Sequence, residues 1–489
     1  MPTLPSFHIS YGATQKAKWA MTHLSSLSFK KHGCSFLALL TLPVAVLLAA
    51  GCGSSTSNAA ASGTVTGSAF VVGTDAPLAS VTSFSVEIQS IDAIDTKGNS
   101  VSLISGTPTV DFARFNGLQT LLDMNDVPAA TYDSIVITLG PATIGYLNTP
   151  TGAAPTIATE AATLTASTIT VTLATPLVVA QAAPVGLRMD FDLSKSIQVS
   201  SGQITGQVTP TFNISTVGPT DAGAYIDKFD AAVVSVNTTA QSFVVQGPHG
   251  RDFIINVNGS TEWDNSESIS ALTTSSIVSI SGELDKADAT IDADEVAIVS
   301  QNGFYADGQI TYVTPASGTA TSFDLYVRGL LPTTTAVTLG QIAQIDLTGQ
   351  EKFFIYWMHN PLTQFLFNSS TLLPGQAVAV GGSAAGATNA QAVTVNRIVL
   401  RHWGFNGTVV ANSVNTSSGT FQMQVNGFAG VLIPETVTVY VGSGTTFRDG
   451  LTGLSSVISG ASVRVVGLLI KDPTSGDAVI LAHYVDALS

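Results

Sequence analysis

Hydrophobic and polar residues alternate along much of residues 68–217, which is the pattern of strands with one buried face and one solvent face. Ser, Thr and Glu occupy most of the outward positions, and three runs show the inward face: Phe84, Val86 and Ile88; Ile135, Ile137 and Leu139; Ile169, Val171 and Leu173. Such strands form antiparallel sheets that pack face to face. The sequence therefore predicts an N-terminal antiparallel β-sandwich, with a capped turn or short helix at Phe115 to Asn125.

Two short patterns recur three times in the same order after Gly218. The first is Ser242-Phe243-x-Val245, which returns at residues 322–325 and 420–423, and the second is Val278-x-Ile280-x-Gly282, which returns at residues 378–382 and 463–467. Short strands that end at glycine are typical of small barrels, so we expect three β-barrel-like modules at residues 222–300, 305–401 and 403–489. The copies resemble an uncharacterised family of small β modules found in envelope proteins. Their length exceeds a solenoid repeat, which favours separate beads over a stacked array.

An aromatic segment distinguishes the middle copy. The two patterns are furthest apart there, and the excess falls on residues 351–367, EKFFIYWMHNPLTQFLF. His-Asn-Pro between two aromatic runs is a turn signal and predicts an extra hairpin with two apolar faces. Either both faces are covered in the core, or one of them contacts a partner protein or glycan. The candidate contact residues are Phe353, Phe354, Tyr356, Trp357, Phe365 and Phe367.

The composition favours strands throughout the chain. Only 10% of the 489 residues are charged, Val and Thr are frequent, and the helix formers Lys, Glu and Arg are scarce. The length corresponds to about three or four domains. The expected fold class is therefore all-β, with the sandwich followed by the three modules.

The first 51 residues form a predicted export signal. Lys30-Lys31-His32 precedes an uncharged apolar stretch from Cys34 to Ala50. Leu48-Ala49-Ala50-Gly51-Cys52 resembles the bacterial lipobox, in which a peptidase cuts before a cysteine that carries diacylglycerol. The resemblance implies lipidation of Cys52, with residues 52–67, rich in Gly, Ser, Ala and Thr, as a flexible tether. The alternative is an ordinary signal peptide with an incidental cysteine.

Three segments of the sandwich region resemble an uncharacterised domain family that is common near the N-terminus of bacterial lipoproteins. They read TDAPLASVTSFSVEIQSI from Thr74, GLQTLLDMNDVPAATYDSIVITL from Gly117 and LRMDFDLSKSI from Leu187. The resemblance implies a compact β-sandwich, loosely similar to the transthyretin-like modules of secreted proteins. No activity is established for that family, so the resemblance implies none for this chain.

Charge and rare residue types exclude several classes of function. The net charge of −15 becomes −19 without the four leader lysines, since 33 acidic and 14 basic residues remain, and this argues against nucleic-acid binding. One mature cysteine excludes an intramolecular disulfide framework and a cysteine-based metal site. Four mature histidines are scattered over the modules and the standard catalytic motifs are missing, so we predict no catalytic residue, cofactor or metal site. Those histidines are His249, His359, His402 and His483.

Two acidic segments remain as weaker candidates. Asp190 and Asp192 share a strand face at a spacing compatible with the paired carboxylates of an inverting glycosidase, although a solvated face with Arg188 as partner is the simpler interpretation. Residues 285–295 are rich in acids, but Ala287 and Thr290 break the EF-hand pattern. A solvated turn is therefore favoured over a Ca²⁺ loop.

These patterns indicate an exported, lipid-anchored cell-envelope protein with a non-catalytic binding or display role. The expected partners are the membrane, through the lipid anchor, and an envelope protein or a glycan. Gly53 after the cysteine resembles the pattern that permits transfer to an outer membrane, if the cell is Gram-negative. The alternatives are a structural spacer or scaffold of the envelope and a glycan hydrolase that uses paired carboxylates.

Overall fold

Strands dominate the computed structural model, which confirms the all-β fold class. Among the described residues, the helical elements are α1 (Leu193–Ser196) and single 3₁₀ turns at Phe112–Arg114, Ala222–Ala224, Ile269–Ala271, Ala390–Ala392 and Leu454–Ser456. Gly63–Ser489 is one compact unit. The structure describes residues 65–76, 81–115, 118–148, 154–181, 183–200, 203–247, 250–263, 267–286, 290–355, 364–425, 432, 436–448 and 450–488.

The first twelve strands form a two-sheet sandwich. One sheet has the order β12-β9-β1-β5, and the other has the order β10-β11-β7-β6-β2-β3, with β4 on β2 and β8 on β6. Most pairs are antiparallel, as expected, but β1 runs parallel to β9, and β7 runs parallel to β11. The strands are β1 (Thr66–Ala76), β2 (Val81–Asp95), β3 (Ser100–Ser102), β4 (Thr109–Asp111), β5 (Thr120–Pro128), β6 (Thr131–Asn148), β7 (Thr156–Leu164), β8 (Thr168–Val178), β9 (Val185–Asp192), β10 (Ile197–Ser200), β11 (Gln203–Val208) and β12 (Phe212–Val217).

The sandwich core follows the predicted alternation. Phe84, Val86 and Ile88 on β2 are buried, and so are Ile135, Ile137 and Leu139 on β6, the neighbouring strand of the same sheet. Four phenylalanines fill the centre. Phe191 packs against each of the other three, Phe84, Phe112 and Phe212, with ring centroids 4.5–5.1 Å apart. The prediction of a turn or helix at Phe115 to Asn125 is wrong from residue 120 onward, because strand β5 there pairs with β1 and buries Leu121.

The remaining strands form three sheets, which we call modules 1, 2 and 3. Module 1 contains β13 (Ile226–Asn237), β14 (Ser242–Gln246), β15 (Asp252–Asn256), β16 (Glu262–Trp263), β17 (Ile277–Leu284) and β18 (Ile291–Ser300). Module 2 contains β19 (Phe304–Thr314), β20 (Ser322–Leu331), β21 (Ile342–Asp346), β22 (Lys352–Ile355), β23 (Ala377–Ser383) and β24 (Thr394–Leu400). Module 3 contains β25 (Trp403–Val409), β26 (Thr420–Val425), β27 (Thr436–Arg448), β28 (Ser462–Lys471) and β29 (Ala478–Ala487).

The three modules share one connectivity. In each, the first strand pairs with the second strand and with the penultimate strand, while the last strand runs antiparallel to the penultimate one. The last strand also pairs in parallel with a strand from the middle of the module, which closes the barrel of module 3 and joins β15 to β18 in module 1. In module 3, whose five strands close in the order β25-β26-β27-β29-β28, this is the connectivity of the five-stranded Greek-key barrel of OB-folds.

The glycine that ends the second repeated pattern has the same role in every module. Gly282, Gly382 and Gly467 each lie at a register shift between the last two strands. A Cβ at any of them would collide with a carbonyl oxygen of the last strand, of Asp292, Thr394 or Leu481 respectively. The pattern therefore marks the point where two backbones approach too closely for a side chain.

The modules are joined by shared apolar cores, so the expectation of separate beads is wrong. The core of module 1 continues into the sandwich, and the core of module 2 continues into module 3. A smaller cluster between modules 1 and 2 contains Ile277, Val299, Tyr305 and Ala379. The sandwich contributes Phe70, Val72, Leu121 and Met124, and module 3 contributes Leu468, Ile470, Val479 and Leu481. Each module thus has an apolar face that only its neighbour covers.

Candidate functional site

The aromatic segment of module 2 contributes mainly to the core. Phe365 and Phe367 are 5% and 8% exposed, so the prediction that these two contact a partner is wrong. The ring of Phe367 packs against Phe353 with centroids 5.4 Å apart, and the ring of Phe365 packs against Tyr440 of module 3 at 5.5 Å. Packing between modules 2 and 3 therefore explains these aromatic residues.

Phe354 occupies the opposite side of β22, as the alternation predicted. The Arg397 guanidinium lies 4.0 Å from its ring centroid, and both terminal nitrogens of Arg397 donate to the Glu267 carboxylate of module 1 at 3.0 Å. Phe354 thus takes part in the junction between modules 1 and 2.

Tyr356 and Trp357 lie outside the described residues, and so do the export signal, Cys52 and all but the end of the tether.

The two aspartates proposed as a glycosidase pair have structural contacts in the sandwich. Asp192 is buried and accepts hydrogen bonds from the Lys195 backbone N–H at 3.0 Å and from the Ser194 hydroxyl at 2.6 Å, which caps α1. Asp190 lies 4.0 Å from Arg188. The Arg188 partner of Asp190 agrees with the simpler interpretation of the strand face, but the expected solvation is wrong for Asp192, which is buried as the cap of α1.

The acidic segment 285–295 carries structural contacts as well. Asp292 accepts a hydrogen bond from the Asn256 side chain at 3.0 Å. Across the part of the chain that the structure describes, no group of three or more His, Cys, Asp or Glu side chains is arranged to hold a metal ion. No helix among the same residues is long and apolar enough to cross a membrane.

A central cleft lies where the sandwich meets the three modules. It has two lobes, of about 350 Å³ and about 280 Å³, whose shared wall contains Leu118, Lys228, Arg401 and His402. We call the larger one the apolar lobe, because its lining includes Ile88, Phe115, Leu121, Phe229, Val378 and Trp403. Concave sites of this size with a few convergent polar groups are typical of ligand binding.

A cluster of ion pairs stabilises the wall that the two lobes share. The Lys228 ammonium pairs with Asp230 at 3.2 Å and with Asp307 of module 2, and Arg401 lies 3.5 Å from Asp230. The Tyr305 hydroxyl donates to Asp230 at 2.7 Å. Burial alone would raise the pKa of Asp230, but these cations and hydrogen bonds outweigh it and hold the pKa well below its usual range. The wall is therefore an ionic contact between modules 1 and 2.

Arg328 joins three of the folded parts beside the apolar lobe. It is 4% exposed, and it donates to the Ala113 carbonyl of the sandwich at 3.0 Å and to Gln309 of module 2. Its guanidinium also lies 4.9 Å from the ring centroid of Trp403, the first residue of β25. One buried cation therefore contacts the sandwich, module 2 and module 3.

The smaller lobe is acidic and aromatic, and we call it the acidic lobe. Its lining includes Tyr225, Asp227, Glu262, Asp294, Glu295 and Tyr484. One oxygen of Asp227, Oδ2, accepts a hydrogen bond from the Gln119 backbone N–H at 2.8 Å, while Oδ1 is buried without a hydrogen-bond partner. Burial raises the pKa of Asp227 to about 6. A strongly perturbed carboxyl in a cleft is a recognised mark of a functional site.

Two histidines complete the acidic lobe. The rings of His402 and His483 stack in parallel, with centroids 4.7 Å apart, and His483 also contacts Tyr484 at 3.8 Å. Burial, followed by His483 and Arg401, holds the pKa of His402 well below its usual value, so this imidazole is neutral at pH 7. The sequence placed these residues 81 positions apart, and only the pairing of both β25 and β29 with β28 brings them together.

The fold and the cleft define a multidomain all-β protein with a ligand-sized cavity at its centre. Residues 66–209 match a family described as a domain of unknown function, DUF4382. The matched region runs from the start of β1 to just beyond β11, so this part of the chain carries an uncharacterised sandwich domain. No curated protein matches the chain.

Proposed function

We propose that this chain is an exported, lipid-anchored cell-envelope protein that binds a ligand without transforming it, and that the central cleft is the binding site. The observation that carries the proposal is the cleft itself, which all four folded parts help to build. The two cations of its shared wall, Lys228 and Arg401, are paired with Asp230 and Asp307, and these ion pairs fix the wall. A preformed cavity of this kind binds with little cost of ordering.

The anchor in this proposal rests on the leader and on Cys52. A basic run, an apolar stretch and a small-residue exit precede the cysteine, and the tether after it is long enough to separate the sandwich from a bilayer. The match to an uncharacterised domain family is consistent with the lipoprotein-associated family that the sandwich resembles.

The common connectivity of the three modules supports a tandem origin for them.

Replacing Cys52 with serine is expected to release the protein from the membrane fraction of a bacterial host. Stable anchoring needs two acyl chains, and the serine variant has no sulfur to carry the diacylglycerol. Intact mass and membrane fractionation check this result, with Cys34→Ser as the matched control because that cysteine lies inside the leader. A wild-type chain that is soluble and carries no added lipid would contradict the anchor.

A structural spacer is the second candidate, because the shared cores and buried ion pairs also make the four parts rigid. A spacer leaves the cleft empty in the cell, whereas a binding protein is stabilised when its ligand is present. A ligand at 100 times its Kd adds about 2.7 kcal/mol to the free energy of unfolding. Ligand-dependent melting therefore separates the two functions.

A further inference from the structure

The acidic lobe has a carboxyl oxygen with nothing to bind. Asp227 lies at the start of β13, where its backbone N–H donates to the Gln119 carbonyl at 3.0 Å and its Oδ2 accepts the Gln119 N–H. These contacts fix the carboxyl in place, and Oδ1 remains buried and unpartnered. A buried acceptor in this state costs about 1–3 kcal/mol, which a donor from a ligand would recover.

Negative charge dominates the walls of this lobe. Four carboxylates line it, and the two cations of its lining, Lys228 and Arg401, are paired with Asp230 and Asp307 at the shared wall. On the side of module 3, Arg448 donates to both oxygens of Asp486 at 2.8 and 3.1 Å. The four carboxylates are Asp227, Glu262, Asp294 and Glu295. Lys228, Arg401 and Arg448 thus each have an anion of their own, while Arg464, which also lowers the pKa of Asp227, donates to the Asn406 side chain at 3.4 Å.

The carboxylates also act on one another and on Tyr484. Burial raises the pKa of Asp294, and Asp292 and Glu262 raise it further. Burial raises the pKa of Tyr484 as well, followed by the negative charges of Asp227, Glu295 and Asp294. A cation placed among these groups would relieve this repulsion and would be stabilised by it.

We propose that the acidic lobe binds an organic cation with a primary ammonium group, which donates to Asp227 Oδ1 while its body lies against the aromatic residues of the lobe. Two of these residues are Tyr225 and Tyr484, whose ring faces attract organic cations, and the other two are His402 and His483. The lobe accommodates a short aliphatic amine or the amine-bearing end of a larger molecule. This inference rests on the proposed binding function and specifies the class of ligand.

An ammonium group fits this lobe better than a metal ion does. Among the residues that the structure describes, the carboxylates and imidazoles do not converge as a set of metal ligands. An ammonium needs only separate acceptors for its three N–H groups. Asp227 Oδ1 supplies one fixed acceptor, the other N–H groups are left to water or to other oxygens of the lobe, and the surrounding carboxylates supply a negative field.

Isothermal titration of the mature protein with putrescine tests the inference, with 1,4-butanediol as the uncharged ligand of nearly the same shape. We expect saturable binding of putrescine in 150 mM NaCl and at least tenfold weaker binding of the diol. Asp227→Asn should weaken putrescine binding at least tenfold. Asp346→Asn, which removes an exposed carboxylate outside the lobe, should leave it unchanged.

Three outcomes would overturn the inference. Equal binding of putrescine by wild type and Asp227→Asn would show that the amine does not bind at Asp227. It would then bind at another site, or be held only by the overall negative charge of the protein. Equal binding of the diol and the diamine would remove the role of charge, while leaving ligand binding in the cleft, and so the proposed function, in place. No heat with putrescine would reject the amine class alone. Loss of binding in Asp227→Asn would not reflect unfolding, because this variant is expected to be more stable than wild type at neutral pH.

Discussion

Replacing Asp230 with asparagine is expected to lower the free energy of unfolding by about 3–5 kcal/mol, because it removes one partner of a buried ionic cluster. Lys228 and Arg401 both pair with this carboxylate, and Tyr305 donates a hydrogen bond to it. Asparagine has nearly the same size as aspartate, but it has no negative charge. Both cations therefore lose the carboxylate that they share in the wild type. Lys228 retains Asp307, which limits the loss on that side.

Urea unfolding at pH 7 measures this loss, with Asp346→Asn as the control because its side chain is exposed. The control should change stability by no more than about 0.5 kcal/mol. Since the pKa of Asp230 lies below its usual range, its contribution is present above the ordinary pKa of an aspartate and is lost as the pH falls. Equal midpoints for the two variants would contradict the structural role of the cluster.

Asp227→Asn is expected to have the opposite effect at neutral pH. The pKa of Asp227 is about 6 in the folded protein and 3.8 as its ordinary value, so between these values the unfolded chain loses a proton that the folded chain keeps. Stability therefore falls as the pH rises through this range, by about 3 kcal/mol in total. Asparagine does not ionise, and its side-chain oxygen still accepts the Gln119 N–H.

Unfolding of wild type and Asp227→Asn at pH 4, 5, 6, 7 and 8 checks this prediction. The two proteins should differ least at pH 4, and the advantage of the variant should grow between pH 4 and pH 6 and level off above that at about 3 kcal/mol. Other titrating groups are common to both proteins and cancel in the difference. Parallel stability curves across this range would show that Asp227 ionises normally.

The sequence predicted the fold class and the strand faces because both depend on local periodicity. Phe84, Val86 and Ile88 alternate with polar residues, and all three are buried. The two repeated patterns lie on the second strand and on the penultimate strand of each module. Gly282 and its two counterparts were visible for the same reason, since a close approach of two backbones requires glycine at one fixed place.

The site was not predictable, because it depends on how the modules dock. Lys228 and Asp307 lie 79 positions apart, and nothing local indicates that they pair. The scattered positions of the histidines in the sequence argued against a common site. Nevertheless His402, which directly precedes β25, stacks on His483 of β29. The aromatic segment was ambiguous in sequence, and the burial of Phe365 and Phe367 shows that docking with module 3 decided its role.

The central claim is that the sandwich and the three modules form one body around the cleft, and small-angle X-ray scattering tests it most directly. The protein lacking its first 51 residues, with serine at position 52, should have a radius of gyration of about 22 Å, as expected for one compact chain of this length. Four separate beads in a row, each with a radius of gyration of about 13 Å, would exceed about 30 Å and would contradict the existence of a shared cleft.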